Sequence, residues 1–131
     1  MNNNATGKQV LIVDDQENWR TALRTLIEDA NVRVAEASNF GEAKRMLTSA
    51  RFDLVVLDVR LVDQDEFNVE GLDLLNLIHA ASPDTKTVIL TGYPESIRTT
   101  PPDADAFIFK VPQGTHFDSR AFKKRIKELL A

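Results

Sequence analysis

Four stretches of this chain are apolar runs of strand length that stop at a polar residue. They are Val10-Leu11-Ile12-Val13 before Asp14, Leu54-Val55-Val56-Leu57 before Asp58, Thr87-Val88-Ile89-Leu90 before Thr91, and Ala106-Phe107-Ile108-Phe109 before Lys110. A strand with one face in water alternates apolar and polar residues. An unbroken run needs cover on both faces, as in parallel sheets lying between two layers of helices. A fifth run, Val32-Arg33-Val34-Ala35, is mixed. Between the runs, apolar residues fall at spacings of three and four, the mark of a helix that buries one stripe. Trp19, Ala22, Leu23, Leu26, Ile27 and Ala30 form the first stripe, and Phe40, Ala43, Met46, Leu47 and Ala50 the second. Leu72, Leu75 and Ile78 form the third, and Phe122, Ile126, Leu129 and Leu130 the last. Strand and helix thus alternate, which predicts a single doubly wound α/β domain: a five-stranded parallel sheet with helices on both faces. A chain of 131 residues holds one core of ordinary size.

Local signals mark the joints. Ser38 and Asn39 are both N-cap candidates for the second helix. All five prolines lie at or after Pro83. Pro94, Pro101 and Pro102 bracket the place where a helix is due between the fourth and fifth strands, so that helix is expected to be short or irregular. Residues 1–7 read as a flexible polar tail and 8–131 as the domain. The tail lacks the apolar core of a signal peptide, and no apolar run approaches the length of a bilayer span. A cytoplasmic location without membrane contact is expected.

Composition removes several functions. The net charge of −4 argues against direct binding of nucleic acid. With no cysteine, disulfide scaffolds, thiolate metal sites and thiol catalysis are excluded. In an open parallel sheet the ligand lies beyond the carboxyl ends of the strands. Here those ends carry Asp14 and Asp15, Asp58, Thr91 and Lys110. If the strand order is 2-1-3-4-5, the first and third strands are neighbours and all three carboxylates cluster. Such a cluster repels itself unless a cation holds it, and a hard divalent ion such as Mg²⁺ fits oxygen ligands that also leave room for a phosphoryl group. A carboxylate beside such an ion can act as a nucleophile and form an acyl phosphate. Lys110 and Thr91 would then neutralise and hydrogen-bond the phosphoryl oxygens.

The series Asp14-Asp15, Asp58, Thr91-Gly92-Tyr93 and Lys110, each at the end of an apolar run, resembles the receiver domain of bacterial two-component response regulators over essentially the whole chain. Asp53-Leu54-Val55-Val56-Leu57-Asp58 and Gly71-Leu72-Asp73-Leu74-Leu75 carry the resemblance as well. It implies the strand order 2-1-3-4-5. It also implies Asp58 as phosphoacceptor, Asp15 as a direct Mg²⁺ ligand, Asp14 as an acidic neighbour acting through water, and the backbone carbonyl of Arg60 completing the protein's share of the metal shell. Thr91 matches the switch hydroxyl, Phe107 the aromatic that turns inward with it, and Lys110 the lysine that pairs with phosphoryl oxygens. The implied donor is a histidine kinase or a histidine phosphotransfer protein. The implied readers of the switch are an output domain or a second copy of the chain. The chain is then a stand-alone receiver or a receiver cut from something longer.

Three features depart from the family pattern. The loop 59–69 after Asp58 is long and acidic. Val111 intervenes between Lys110 and Pro112, where the family has proline directly after lysine. The helix due between the last two strands has little room. Simpler readings stand beside the sharper ones. Thr91-Gly92 reads also as a turn in which glycine supplies a positive φ, and Phe107 equally as plain core. Arg60 and Tyr93 read as solvated rim residues, or as bulk that slows water attack at the pocket mouth. Arg120, Lys123, Lys124, Arg125 and Lys127 read as a solvated basic face, His79 and His116 as isolated polar residues, and Trp19 as core. The loop at 63–68 lacks the glycine and the bidentate glutamate of a calcium loop. Two other functional classes remain at this point. One is a module that binds partners without phosphorylation. The other is an aspartyl phosphatase or phosphotransferase, which the missing second Asp in Asp58-Val59-Arg60 disfavours, so slow loss of its own phosphoryl group is the only turnover expected.

Overall fold

The computed structural model describes residues 7–58, 70–92, 104–110 and 117–131. Their elements follow in the order β1 (Lys8–Val13), α1 (Glu17–Ile27), β2 (Val32–Ala37), α2 (Phe40–Ser49), β3 (Leu54–Leu57), α3 (Glu70–Ala81), β4 (Lys86–Thr91), β5 (Ala106–Phe109) and α4 (Ser119–Leu130). The five strands form one parallel sheet in the order β2-β1-β3-β4-β5. The chain therefore reverses its direction of winding beside β1 and β3, where a doubly wound sheet opens its ligand crevice.

Alternate residues of β1 and β3 feed opposite layers. Leu11, Val13, Val55 and Leu57 pack under α2 and α3 with Ala43, Leu74, Leu75 and Ile78. Val10, Ile12, Leu54 and Val56 pack under α1 and α4 with Leu23, Ile27, Phe122 and Ile126. Every residue of β3 is buried, as its unbroken apolar run requires. Asn39 rather than Ser38 caps α2, its side chain accepting from the Glu42 amide at 2.8 Å. Glu42 reaches back past the cap and accepts from the Ser38 amide at 2.6 Å.

Several sequence expectations need correction, among them Ala22 of α1 and Ala50, the C-cap of α2, which are exposed rather than part of a buried stripe. Among the described residues, the apolar run of β5 is not covered on both faces. Ala106 and Ile108 pack into the α1/α4 layer, whereas Phe107 and Phe109 remain 38% and 43% exposed. An end strand has a neighbour on one side only, and the α2/α3 cluster reaches Ile89 of β4 without taking a residue of β5. Phe107 is therefore not plain core. Ala30, placed on the first helical stripe, lies beyond the end of α1, in the exposed turn around the Asp29–Val32 bridge. The expected short helix among Pro94, Pro101 and Pro102 falls outside the described residues. Among the described residues no helix is long and apolar enough to cross a membrane.

Candidate functional site

Sheet register brings the acids together. Val13 lies opposite Leu57, so the next residues on each strand, Asp14 and Asp58, leave the sheet side by side. The Asp58 amide donates to the Val13 carbonyl at 3.0 Å, and the Asp14 amide donates to the Ala37 carbonyl at 3.1 Å. Carboxylate oxygens of Asp14, Asp15 and Asp58 all lie within 4.8 Å of one another. Asp14 and Asp58 are buried and Asp15 is half-buried.

Lys110 closes the cluster from the far side of β4. It follows Phe109, which pairs with Thr91 at the end of β4. Strands lie nearly 5 Å apart, so only a long side chain reaches from β5 to the carboxylates beyond β1 and β3. The Lys110 Nζ stands 2.7 Å from Asp14 Oδ2 and donates to Asp58 Oδ2 at 3.0 Å. Its stem passes Gly92, where a Cβ would stand 3.8 Å from the lysine Cδ. Gly92 does not adopt a positive φ, so the turn reading of Thr91-Gly92 loses its reason for glycine.

Charge in this buried pocket is finely set. Burial pushes the Asp14 carboxyl above its ordinary range; the Lys110 ammonium opposes that shift and the Asp58 carboxylate adds to it. Burial alone would lower Lys110, but Asp58 and Asp14 together hold it above its ordinary value, so the ammonium keeps its proton. Lys110 is thus an internal counter-ion shared by two acids.

Two residues to which the sequence gave no site role also line the pocket among the described residues. Arg20 of α1 donates to the Asp14 carbonyl at 2.7 Å and to Glu36 of β2 at 3.1 Å, tying the start of α1 to the strand end that carries the acids. Trp19 is half-buried rather than full core, and its ring centroid lies 5.0 Å from the Lys110 Nζ. Nothing in the spacing of Arg20 distinguishes it from other helix arginines. Trp19 carried a signal that was read too simply, since a tryptophan one turn past an acidic strand end faces the crevice as readily as the core.

Thr91 is the last residue of β4, on the rim the sequence assigned to it. Phe107 lies on the flank of β5, in an edge-to-face pair with Phe109 at 5.3 Å. Arg60, Tyr93, Val111, Pro112, His116 and the loop 59–69 lie outside the described residues. His79 is half-buried on α3, beside Pro83, Thr85 and Asp105. Arg120, Lys123, Lys124, Arg125 and Lys127 are exposed on α4, as a solvated basic face would be.

Residues 10–120 match the family model described as the response regulator receiver domain. This chain belongs to that family. It is 33% identical over 85 residues to the chemotaxis protein CheY of Listeria monocytogenes, an alignment covering 64% of this chain and 67% of that one. It is 33% identical over 86 residues to the response regulator protein PilR of Pseudomonas aeruginosa, covering 66% of this chain and 18% of PilR. It is 29% identical over 86 residues to the sensor kinase/phosphatase CqsS of Vibrio cholerae, covering 66% of this chain and 12% of CqsS. The matched region thus spans less than a fifth of the last two relatives. The solved response regulator TrrA of Thermotoga maritima, in complex with Mg²⁺–BeF, superposes with a TM-score of 0.75 at 27% identity, over 93% of this chain and 98% of TrrA. A CheY-like receiver domain from Methanospirillum hungatei superposes with a TM-score of 0.77 at 29% identity, covering 95% of this chain and 94% of that one. Receiver domains of this family belong to two-component systems, in which they act with histidine kinases and output domains.

Proposed function

We propose that this chain is the phosphoacceptor of a two-component phosphorelay, with Asp58 as the acceptor. The observation that carries the reading is the buried carboxylate of Asp58 at the end of a central strand, with two further carboxylates beside it and a buried ammonium 3.0 Å away. An Asp58 oxygen attacks the phosphorus of a phosphohistidine. The new O–P bond forms as the P–N bond breaks, and the departing imidazole keeps the electron pair and takes a proton from solvent. Lys110 and the hydroxyl of Thr91 meet the charge that develops on the phosphoryl oxygens.

The donor set fits a hard divalent cation. Mg²⁺ holds oxygens at about 2.1 Å, hence about 4.2 Å apart at most. The carboxylates of Asp15 and Asp58, within 4.8 Å of each other, would close onto it with a small contraction. Asp15 and Asp58 would hold it directly, Asp14 through water, and the Arg60 carbonyl would complete the protein's share. When bound, Mg²⁺ supplies the charge neutralisation that lets an anionic donor approach three acids.

The phosphoryl group adds charge and acceptor oxygens at one end of the sheet. Thr91 is drawn toward it and Phe107 turns inward, and a partner that prefers one state reads the change. The exposure of Phe107 on an end strand supports that role. A groove of about 470 Å³ lined by Phe107, Phe109, Phe117, Phe122 and Arg125 lies where an output domain or second copy would read it. The donor is a histidine kinase or histidine phosphotransfer protein, which places the chain in the cytoplasm. Slow hydrolysis of its own acyl phosphate is the only turnover proposed, with Arg60 and Tyr93 as the rim that slows water.

Incubation with Mg²⁺ and acetyl phosphate, followed by intact mass, tests the reading. One phosphoryl adduct is expected in the wild type and none in Asp58→Asn. A folded, Mg²⁺-binding wild type without adduct would overturn it in favour of a phosphate-independent interaction module.

A further inference from the structure

Among the described residues the Lys110 ammonium has three walls. Two are the Asp14 and Asp58 carboxylates, at 2.7 and 3.0 Å. The third is the indole of Trp19, whose centroid lies 5.0 Å from Nζ, within the range in which a cation is attracted to an aromatic face. The indole is itself braced. Phe117 meets it edge-on, with centroids 5.2 Å apart and planes at 85°, and Phe117 in turn packs on Phe122 at 5.6 Å. Phe122 lies on the buried side of α4. The third wall is thus anchored in the α1/α4 core, independently of the strand ends that carry the acids.

The walls differ in what competes for them. Any divalent cation that draws on the three carboxylates takes oxygen lone pairs that the ammonium uses. An incoming phosphoryl group likewise claims Asp58. Neither has use for the face of an indole. We infer that Trp19 is a positioning residue for Lys110: its ring keeps the ammonium inside the pocket when the carboxylates are given over to other partners. Without it, a lysine reaching across β4 on a flexible stem has a solvated alternative, because an ammonium released from both acids gains most by returning to water. A partly buried cation–π contact has the strength to shift such an equilibrium about tenfold.

The experiment has a spectroscopic arm that does not depend on phosphorylation and a rate arm that rests on the proposed function. With ¹³C-labelled lysine in the full chain, the Lys110 ε-CH₂ protons are expected upfield of those of the other lysines, shielded by the indole face. That shift is expected to survive saturating Mg²⁺, to be lost in Trp19→Leu, and to persist in reduced form in Trp19→Phe. At saturating Mg²⁺ the rate of phosphorylation by acetyl phosphate is expected to fall about tenfold in Trp19→Leu and to be largely rescued in Trp19→Phe. Should Trp19→Leu not fold, the wild-type shift with Mg²⁺ and the Trp19→Phe comparison still decide. A Lys110 signal in the wild type that moves to the position of solvated lysines on Mg²⁺ addition would overturn the inference. So would equal losses of rate in the Leu and Phe variants. A wild type that takes no phosphoryl group but keeps its shifted Lys110 signal would count against the phosphoacceptor reading and leave the Trp19 contact established.

Discussion

Lys110→Met removes the cation that, among the described residues, lies inside the acid cluster, while keeping an apolar stem of similar length. At an effective dielectric of 20, the ammonium's contacts at 2.7 and 3.0 Å are each worth about 6 kcal/mol of attraction. Carboxylates no more than 4.8 Å apart repel one another by about 3.5 kcal/mol or more per pair, so three ionised acids store roughly 10 kcal/mol. With the lysine present, attraction and repulsion nearly cancel. Without it, protonating one carboxyl relieves two pairs, about 7 kcal/mol, whereas holding a proton on an ordinary carboxyl at pH 7 costs about 4 kcal/mol. The variant should therefore carry one extra proton in the cluster at neutral pH. Asp14 is the residue to take it, since burial already raises its pKa and the opposing ammonium is gone. Because Mg²⁺ binds the ionised form, binding to the variant should release close to one proton, and its affinity should rise almost tenfold per pH unit as pH increases toward neutrality. Above the new pKa, with no ammonium competing, the variant should bind Mg²⁺ more tightly than the wild type. Calorimetric titration with Mg²⁺ in buffers of different ionisation enthalpy reads the proton count directly. Equal proton release and parallel pH profiles in both proteins would refute this electrostatic account.

Other outcomes follow from the same structure. Asp14→Asn removes a charge that burial disfavours, so the metal-free variant should unfold at higher urea while binding Mg²⁺ at least tenfold more weakly; a lower urea midpoint would contradict the first half. Asn39→Ala should cost about 1 kcal/mol in chemical unfolding, since it deletes the cap on the Glu42 amide. The Ser38 amide and hydroxyl hold the Glu42 carboxyl below its ordinary 4.5, so its contribution is full above that value and is lost as pH falls through the lower, folded one. Glu42→Gln should flatten that acid limb of the stability profile. Phe122→Ala, at a site that is 1% exposed, should cost about 3–5 kcal/mol and loosen the Phe117–Trp19 stack, visible as altered fluorescence of the only tryptophan.

The parallel sheet and the rim of Asp14, Asp15, Asp58 and Lys110 were legible from local pattern, whereas the strand order came from the resemblance to receiver domains. Unbroken apolar runs require cover on both faces, and a parallel sheet delivers the residues just past its strands to one edge. The exposure of Phe107 and Phe109 was not legible, because an end strand can be as apolar as a central one. The difference lies in how far the α2/α3 layer extends, which depends on packing across the whole sheet. Lys110 was expected to await a phosphoryl group. That it bridges Asp14 and Asp58 depends on a side chain crossing β4, a distance that no spacing in the sequence encodes. The roles of Arg20 and Trp19 were hidden for the same reason: each acts on a residue brought close only by the fold.

The central claim is that Asp58, among three neighbouring acids, takes the phosphoryl group. Borohydride reduction of the protein after treatment with Mg²⁺ and acetyl phosphate, followed by peptide mass analysis, identifies the acceptor, because an aspartyl acyl phosphate is reduced to homoserine. The account predicts homoserine at position 58 and intact aspartate at 14 and 15. Homoserine at Asp14 or Asp15, or at no position in a folded protein that binds Mg²⁺, would contradict it.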